Sequence, residues 1–220
     1  LYWDRVPANP VRLDLVNPLG VVAYSRAVGL GVPGFPLRER IEFPISSALV
    51  RESYQFQMRD DQGRILPVQE IEIAGTPDLP MPAGPAMTVG AIMADGITLD
   101  GYTLPQAPSA GSLVLRPGDQ LLVDLYWRAT QEGESEWVIF THLVGQAYNP
   151  TTLGPLWGQH DSVPAEGRWP TSTWHPGDAG IDRHVLTIDP LAPPGEYLLY
   201  VGMYDGTSGQ RAIVQVDGSP

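Results

Sequence analysis

The stretch LLVDLYWR, residues 121–128, decides the fold. Every second side chain from Leu121 to Trp127 is apolar, and Asp124 and Arg128 lie on the opposite face. An alternation of period two is typical of a β-strand that buries one face, because successive side chains of a strand point to opposite sides. We therefore expect this stretch to line the core of a β-sheet.

Further runs predict more strands. Residues 137–144 and 197–204 are apolar on both faces, which indicates central strands, and residues 184–188 form a shorter alternating run. Helical periodicity is nearly absent. Turns in which Pro presets φ and Gly supplies a positive φ stand before three of the strands, at residues 116–119, 175–178 and 193–196. The pattern predicts an all-β fold: an antiparallel β-sandwich, immunoglobulin-like or jelly-roll-like, of about seven to nine strands.

The sequence contains an internal repeat, since residues 52–64 resemble residues 196–211. Each segment has a strand with an early Tyr and a late Met, an acidic turn that contains Gly, and then Arg before a second apolar run. This order predicts two β-hairpins, and a repeated hairpin favours two related units. We expect a small β unit over 1–77 that resembles a partial sandwich, a Pro-rich linker over 78–86 and the main β-sandwich over 87–220.

Composition excludes several classes of partner and chemistry. The formal net charge is −12, from 25 acidic and 13 basic residues, which argues against nucleic acid and anionic lipid as partners. Cys is absent, which excludes disulfides, thiolate nucleophiles and Cys-ligated zinc. The longest weakly charged stretch, residues 28–37, is too short to span a membrane. Because the sequence begins at Leu1, we interpret it as a fragment or processed form of a longer protein.

The sequence lacks the short motifs of catalysis. It contains no Gly-x-Ser-x-Gly elbow, phosphate-binding loop, dinucleotide fingerprint or His-Glu-x-x-His motif. The four histidines, His142, His160, His175 and His184, are scattered, whereas a metal site needs three or more converging ligands. We predict hydrogen-bonded structural roles for them and no enzymatic activity, with a metal or catalytic role as the alternative.

Aromatic residues provide the candidate ligand-binding set. Trp157, Trp169 and Trp174 fall in a segment with few strand signals, and aromatic rings on loops can stack on sugar rings. The alternative is that these side chains cap the core of the sandwich, because large aromatic residues are usually buried. His160 and Asp161, which we place on a nearby strand, complete the candidate set.

Asp60, Asp61 and Asp205 lie in predicted turns. Hydrogen bonds from a turn's own backbone explain the choice of Asp there. The same oxygens make these residues weak candidates for a structural calcium ion, although their spacing fits no defined calcium loop. We predict no metal site and no cofactor, and structural calcium stays open as the alternative.

Residues 88–205 resemble the C-terminal, extracytoplasmic β-sandwich domain of bacterial multi-pass membrane proteins that are similar to protein O-mannosyltransferase-like glycosyltransferases and are frequent in Chloroflexi. The resemblance rests on the order and spacing of GITLDGY at 96–102, PGD at 117–119, LYW at 125–127, VIFTHL at 138–143, QHD at 159–161, WPTSTWHPGD at 169–178, PGEY at 194–197 and VGMYD at 201–205. It implies that any glycosyltransferase chemistry resides in a membrane-embedded part outside this chain, so it supplies no catalytic residues.

The sequence therefore favours a non-catalytic extracytoplasmic β-sandwich module of a membrane-anchored, glycosyltransferase-like protein. We expect the module to act as a spacer or as a recognition domain for an acceptor or partner, with carbohydrate or cell-envelope components as partners. The resemblance implies that a missing N-terminal transmembrane region tethers it to the membrane. The first alternative is a carbohydrate-binding module that uses the loop tryptophans, and the second is a small hydrolase with an unrecognised site.

Overall fold

The computed structural model describes residues 1–3, 6–9, 11–29, 31–43, 49, 52–73, 84–108 and 112–216. In these residues all strand pairings are antiparallel, which confirms the predicted all-β fold. The described strands are Tyr2–Trp3 (β1), Val11–Val16 (β2), Val22–Val28 (β3), Leu37–Arg38 (β4), Glu52–Arg59 (β5), Ile65–Ile73 (β6), Met87–Ile92 (β7), Ile97–Thr103 (β8), Gln120–Ala129 (β9), Trp137–Asn149 (β10), Gly154–Ser162 (β11), Ala179–Thr187 (β12), Leu198–Asp205 (β13) and Gln215–Val216 (β14). Two short 3-10 helices are Ala94–Gly96 and Thr171–Thr173.

A large sheet and a small sheet build the sandwich. The large sheet has nine described strands in the order β14-β7-β8-β9-β12-β3-β2-β5-β6, and the small sheet has the order β11-β10-β13. Strands β1 and β4 pair separately. The small sheet lies against the middle of the large one, where β11 and β10 contact β12.

Strand β12 joins the two parts of the large sheet. It pairs with β9 over its whole length, and it also pairs with β3 through Ala179 opposite Ser25 and Gly180 opposite Tyr24. Strands from both sides of the predicted linker therefore lie in one sheet. The linker prediction over 78–86 falls largely on residues 74–83, which lie outside the described residues, and the predicted domain boundaries stay a prediction.

The core lies between the two sheets. The inward side chains of β9 are buried as the period-two pattern predicts, namely Leu121, Val123, Leu125 and Trp127. They belong to one apolar cluster with Ile139 of β10, Leu186 of β12 and Met203 of β13. Complete burial of an aliphatic side chain of this size contributes about 1.5–3 kcal/mol. Residues 121–128 thus lie near the middle of the large sheet, and their inward side chains form part of the core.

The first predicted hairpin is confirmed, and the second is formed only in part. Strands β5 and β6 pair along their length around a turn in which Gly63 has φ +76°. After β13, a bridge joins Tyr204 to Arg211 and the Ala212 amide donates to the Met203 carbonyl. The chain then leaves this sheet, because β14 pairs with β7 of the large sheet.

Two expectations about strands are wrong. Strand β10 is central in the small sheet as expected, but β13 is an edge strand whose Leu198 and Tyr200 side chains face solvent. The segment around Trp157, expected to be loop-rich, contains the nine-residue strand β11. Its sequence includes Gly154 and Pro155, and pairing with β10 overrides their low strand propensity.

Candidate functional site

The three candidate tryptophans lie inside the protein, and none is more than 4% exposed. The Trp157 indole nitrogen donates to the Ala147 carbonyl at 3.1 Å. The rings of Trp169 and Trp174 pack against each other with their centroids 4.2 Å apart, on either side of the 3-10 helix Thr171–Thr173 in the sequence. The prediction that these rings form an exposed stacking surface is wrong, because they close the core, as the alternative interpretation proposes.

His160 and Asp161 are neighbours in β11 and therefore point to opposite faces of the small sheet. The Asp161 side chain points outward, where its Oδ1 lies 3.1 Å from Nε2 of His142. The His160 side chain points inward, where its Nδ1 lies 2.9 Å from Nδ1 of His184 on β12. The structure therefore separates this predicted pair into two different environments.

The outer face of the small sheet carries a row of aromatic rings. The Phe140 ring lies 4.6 Å from the His142 ring and 6.4 Å from the Tyr204 ring. Gly202 provides the room for Phe140, since a Cβ there would lie 2.4 Å from Phe140 Cζ. The Arg211 guanidinium covers Phe140 at 5.0 Å from the ring centroid. Phe140 is consequently the buried base of this row.

Exposed residues extend the row toward the N-terminal end of β13. The β10–β13 register sets Tyr200 opposite His142 and Leu198 opposite Val144. Tyr200 is 51% exposed and Leu198 is 64% exposed. We define the aromatic platform as the outward-facing set Phe140, His142, Gln159, Asp161, Leu198, Tyr200 and Tyr204.

The platform combines apolar ring faces with polar groups. Burial raises the pKa of Tyr204, and the neighbouring Asp161 carboxylate raises it further. The Tyr204 hydroxyl carries its proton at neutral pH, as in any ordinary tyrosine, and can donate a hydrogen bond. Asp161 offers carboxylate oxygens, and the exposed Gln159 amide beside it can donate and accept. Such a face can bind a ligand that has both apolar surface and hydroxyl groups.

A second polar cluster lies between the sheets. His184 is buried, and its Nε2 lies 3.0 Å from Oδ2 of the buried Asp182. Nε2 of His160 lies 3.4 Å from Oε1 of the exposed Glu166. Burial lowers the pKa of His160, and the neighbouring His184 lowers it further. Among the described residues no Ser or Thr hydroxyl hydrogen-bonds to either imidazole ring, so the cluster has no nucleophile of the triad type.

Asp60 and Asp205 use their oxygens within their own turns, whereas Asp61 bonds to a residue distant in sequence. Desolvation raises the pKa of Asp60, but hydrogen bonds from Arg64 and Gln62 outweigh this effect and lower the pKa below its usual value. Hydrogen bonds from Ser208 lower the pKa of Asp205 in the same manner. Asp61 accepts a hydrogen bond from the Asn9 amide. Over the described part of the chain, no group of three or more acidic or His side chains is arranged to hold a metal ion.

The outward face of the large sheet carries ion pairs around a groove of about 720 Å³. Nε of Arg59 lies 2.9 Å from Oδ2 of Asp14, and Nε of Arg128 lies 3.0 Å from Oδ2 of Asp100. Nη2 of Arg12 lies 2.9 Å from Oδ1 of the buried Asp178. Each of these charges is already paired within the chain, which indicates cross-strand stabilisation.

Sequence reasoning missed the aromatic platform. Its signal was present in β13, where Leu198, Tyr200, Gly202 and Tyr204 occupy every second position. That signal was hidden because the alternate positions Leu199, Val201 and Met203 are apolar as well. Because β13 is apolar on both faces, its sequence indicated a central strand. In the structure β13 is an edge strand with an aromatic outer face.

Comparison with protein-family models gave no match, and a search of curated proteins gave no significant match. None of the described residues forms a helix long and apolar enough to cross a membrane.

Proposed function

We propose that this chain is a non-catalytic recognition module that binds a saccharide on the aromatic platform of its small sheet. In this proposal it is the extracytoplasmic part of a membrane-anchored, glycosyltransferase-like protein and helps to recognise the acceptor. The resemblance of residues 88–205 supports the location. The absence of catalytic motifs from the sequence supports a binding role.

The observation that carries the binding role is the exposed end of the platform. Tyr200 and Leu198 lie side by side with more than half of each residue exposed, next to the paired His142 and Asp161. A sugar ring has an apolar face of C–H groups and a rim of hydroxyls. The face can pack on Tyr200, and the rim can hydrogen-bond to the exposed Gln159 amide and to the Asp161 oxygen that does not contact His142.

The spacer alternative makes a different demand on this surface. A spacer needs only a stable sandwich with a polar exterior, and an exposed aromatic ring contributes nothing to that role. In the large sheet, the outward positions of β2 and β5 that flank the groove carry Arg12, Asp14, Gln57 and Arg59. The contrast favours recognition, because the small sheet holds ring faces at an accessible position.

The binding proposal can be tested with an array of neutral and acidic oligosaccharides, followed by isothermal titration calorimetry with any oligosaccharide that is retained. We expect Tyr200→Ala to weaken binding about tenfold or more, which corresponds to about 1.4 kcal/mol or more. Phe35→Ala is the matched control, because Phe35 is 64% exposed and lies in the loop between β3 and β4, apart from the platform.

Two outcomes would contradict saccharide binding on this platform: retention of no oligosaccharide by the wild-type chain, or equal affinity of wild type and Tyr200→Ala. The first outcome would favour the spacer alternative. The location is tested separately in cells that express the full-length protein, where protease added outside intact cells should cleave this module. Protection of the module from that protease would contradict the extracytoplasmic location.

A further inference from the structure

Four ionisable side chains form a continuous chain from the interior of the sandwich to its surface. Asp182 Oδ2 lies 3.0 Å from His184 Nε2, and His184 Nδ1 lies 2.9 Å from His160 Nδ1. His160 Nε2 lies 3.4 Å from Glu166 Oε1. Asp182 and His184 belong to β12 of the large sheet, whereas His160 belongs to β11 of the small sheet. The contact between the two imidazole rings therefore bridges the sheets.

The number of protons on the two rings decides whether this chain of contacts can form. Two ring nitrogens at 2.9 Å need one proton between them, because two lone pairs or two N–H groups at that distance repel. A proton on Nε2 of His184 faces Asp182, and a proton on Nε2 of His160 faces Glu166. Three protons on four nitrogens satisfy every contact, and the ring pair then carries one positive charge.

A fourth proton disrupts the arrangement. Both Nδ1 atoms would then be donors that face each other, and two positive charges would lie on rings whose centroids are 4.9 Å apart. His184 has one alternative acceptor, the His160 carbonyl oxygen at 3.3 Å. Donation to that oxygen keeps His184 joined to β11, but at a longer distance, and it leaves the proton on Nδ1 of His160 without the partner that it has in the ring pair.

The surroundings compensate a second charge only in part, through Asp182 beside His184 and the exposed Glu166 beside His160. Asp182 already accepts a hydrogen bond from the Ala165 amide at 2.9 Å, and the β9 residues opposite Asp182 and His184 are Leu125 and Val123. Asp161 is next to His160 but points to the other face of β11 and pairs with His142. From the loop that follows β11, Glu166 approaches His160 and is exposed to solvent.

We propose that the Asp182–His184–His160–Glu166 chain is a proton-sensitive latch between the two sheets, closed while the histidine pair carries no more than one positive charge and weakened when both rings are protonated. The latch lies behind the sheet that carries the aromatic platform, but it does not depend on the proposed saccharide binding.

The direction of the pH dependence follows from the two states of the protein. Burial, and then the neighbouring His184, lower the pKa of His160 in the folded chain below its value in the unfolded chain. As the pH falls through the unfolded value of about 6.5, the unfolded chain takes up protons before the folded chain does. Folding stability attributable to His160 is therefore present above about pH 6.5 and is lost as the pH falls through the lower, folded pKa.

Urea unfolding at about pH 7 and about pH 5, on either side of that unfolded pKa, tests the latch in the whole chain. We expect the wild type to lose stability between the two pH values and His160→Gln to lose clearly less, because Gln can donate to His184 without taking up a proton. His175→Gln is the matched control, because His175 is partly exposed and lies outside the sheet interface. Its Nδ1 is 2.6 Å from Oε2 of Glu132, so it too has a carboxylate partner. This control should lose as much stability as the wild type.

Nuclear magnetic resonance of the wild-type imidazoles provides a second test that needs no variant to fold. We expect one proton to be shared between the Nδ1 atoms of the two rings at about pH 7, and this sharing to end when His160 takes up a proton at low pH. Absence of a shared proton at about pH 7 would overturn the proposal. So would an equal loss of stability in the wild type and His160→Gln.

Discussion

The two outward faces of the sandwich differ in how their polar groups are satisfied. On the large sheet, Arg59 pairs with Asp14, Arg128 pairs with Asp100, and Ser25 hydrogen-bonds to the second Asp14 oxygen. On the small sheet, aromatic rings share the surface with one His–Asp pair. The first face completes its own interactions, whereas the second leaves ring faces and hydrogen-bonding groups open to solvent.

This difference separates stabilising residues from residues that are free to bind. A charge that already has a partner gives up that interaction when a ligand engages it, so a net gain in binding free energy is small. An exposed Tyr gives up only contact with water when it is covered, which favours binding. The contrast between Arg59 and Tyr200 is therefore the reason for assigning recognition to the small sheet.

The largest effect should come from the most deeply buried charge pair on the large sheet. Arg183 donates to both oxygens of Asp124, at 2.6 and 2.7 Å, and both side chains are no more than 3% exposed. Burial raises the pKa of Asp124, although the bonds from Arg183 oppose this. We expect Arg183→Met to lower the free energy of unfolding by about 3–5 kcal/mol, because Asp124 then stays buried without a countercharge. Urea titration measures the loss.

Two further variants sharpen that measurement. Arg64→Met removes an exposed pair between Arg64 Nε and Asp60 Oδ2, 2.6 Å apart, and should change the free energy of unfolding little, because solvent screens the pair. Replacing both buried partners, in the double variant Asp124→Leu with Arg183→Met, should recover much of the loss, since no unpaired charge remains. A single Arg183→Met variant as stable as Arg64→Met would show that the buried pair is not the stronger contact.

An intermediate effect is expected at the base of the aromatic platform. A Cβ added by Gly202→Ala would lie 2.4 Å from Phe140 Cζ, so the ring must move. We expect a loss of about 1–3 kcal/mol in unfolding free energy, together with weaker saccharide binding. Gly195→Ala is the matched control, because its added Cβ would have no neighbour within 4 Å. Adding Phe140→Leu to Gly202→Ala should restore part of the stability, because the smaller side chain leaves space for the new methyl group. If Gly202→Ala loses no stability, the Phe140 ring can move aside without cost and the expectation is wrong.

The fold was predictable where apolar residues alternate along a strand. The alternation from Leu121 to Trp127 identified β9, although Asp124 and Tyr126 on its other face are buried as well. Of β11 only the part around His160 and Asp161 was expected to be a strand, because Gly154, Pro155 and several polar residues make the rest of its sequence unlike a strand. Its conformation comes from pairing with β10, which is information about partners distant in sequence.

The site was less predictable than the fold. Residue type suggested that Trp169 and Trp174 either stack on a ligand or cap the core, and only the packing shows that they are buried. His160 and His184 are 24 positions apart, and their contact depends on how two sheets stack. Strand register and sheet packing bring such groups together, and neither can be read from local periodicity.

The smallest effect is expected at the rim of the groove on the large sheet. Arg128 reaches Asp100 across neighbouring strands, but its side chain is 54% exposed. Solvent screens a pair of this kind, so Arg128→Gln should lower the free energy of unfolding by only about 0.2–1 kcal/mol. The difference between the wild type and Arg128→Gln should shrink further when urea titration is repeated in about 1 M salt, because the Debye length falls to about 3 Å. A loss above about 2 kcal/mol that persists in salt would contradict this expectation and would mean that the paired charges act as one cooperative network. The outer face would then stabilise the large sheet by more than separate surface pairs can.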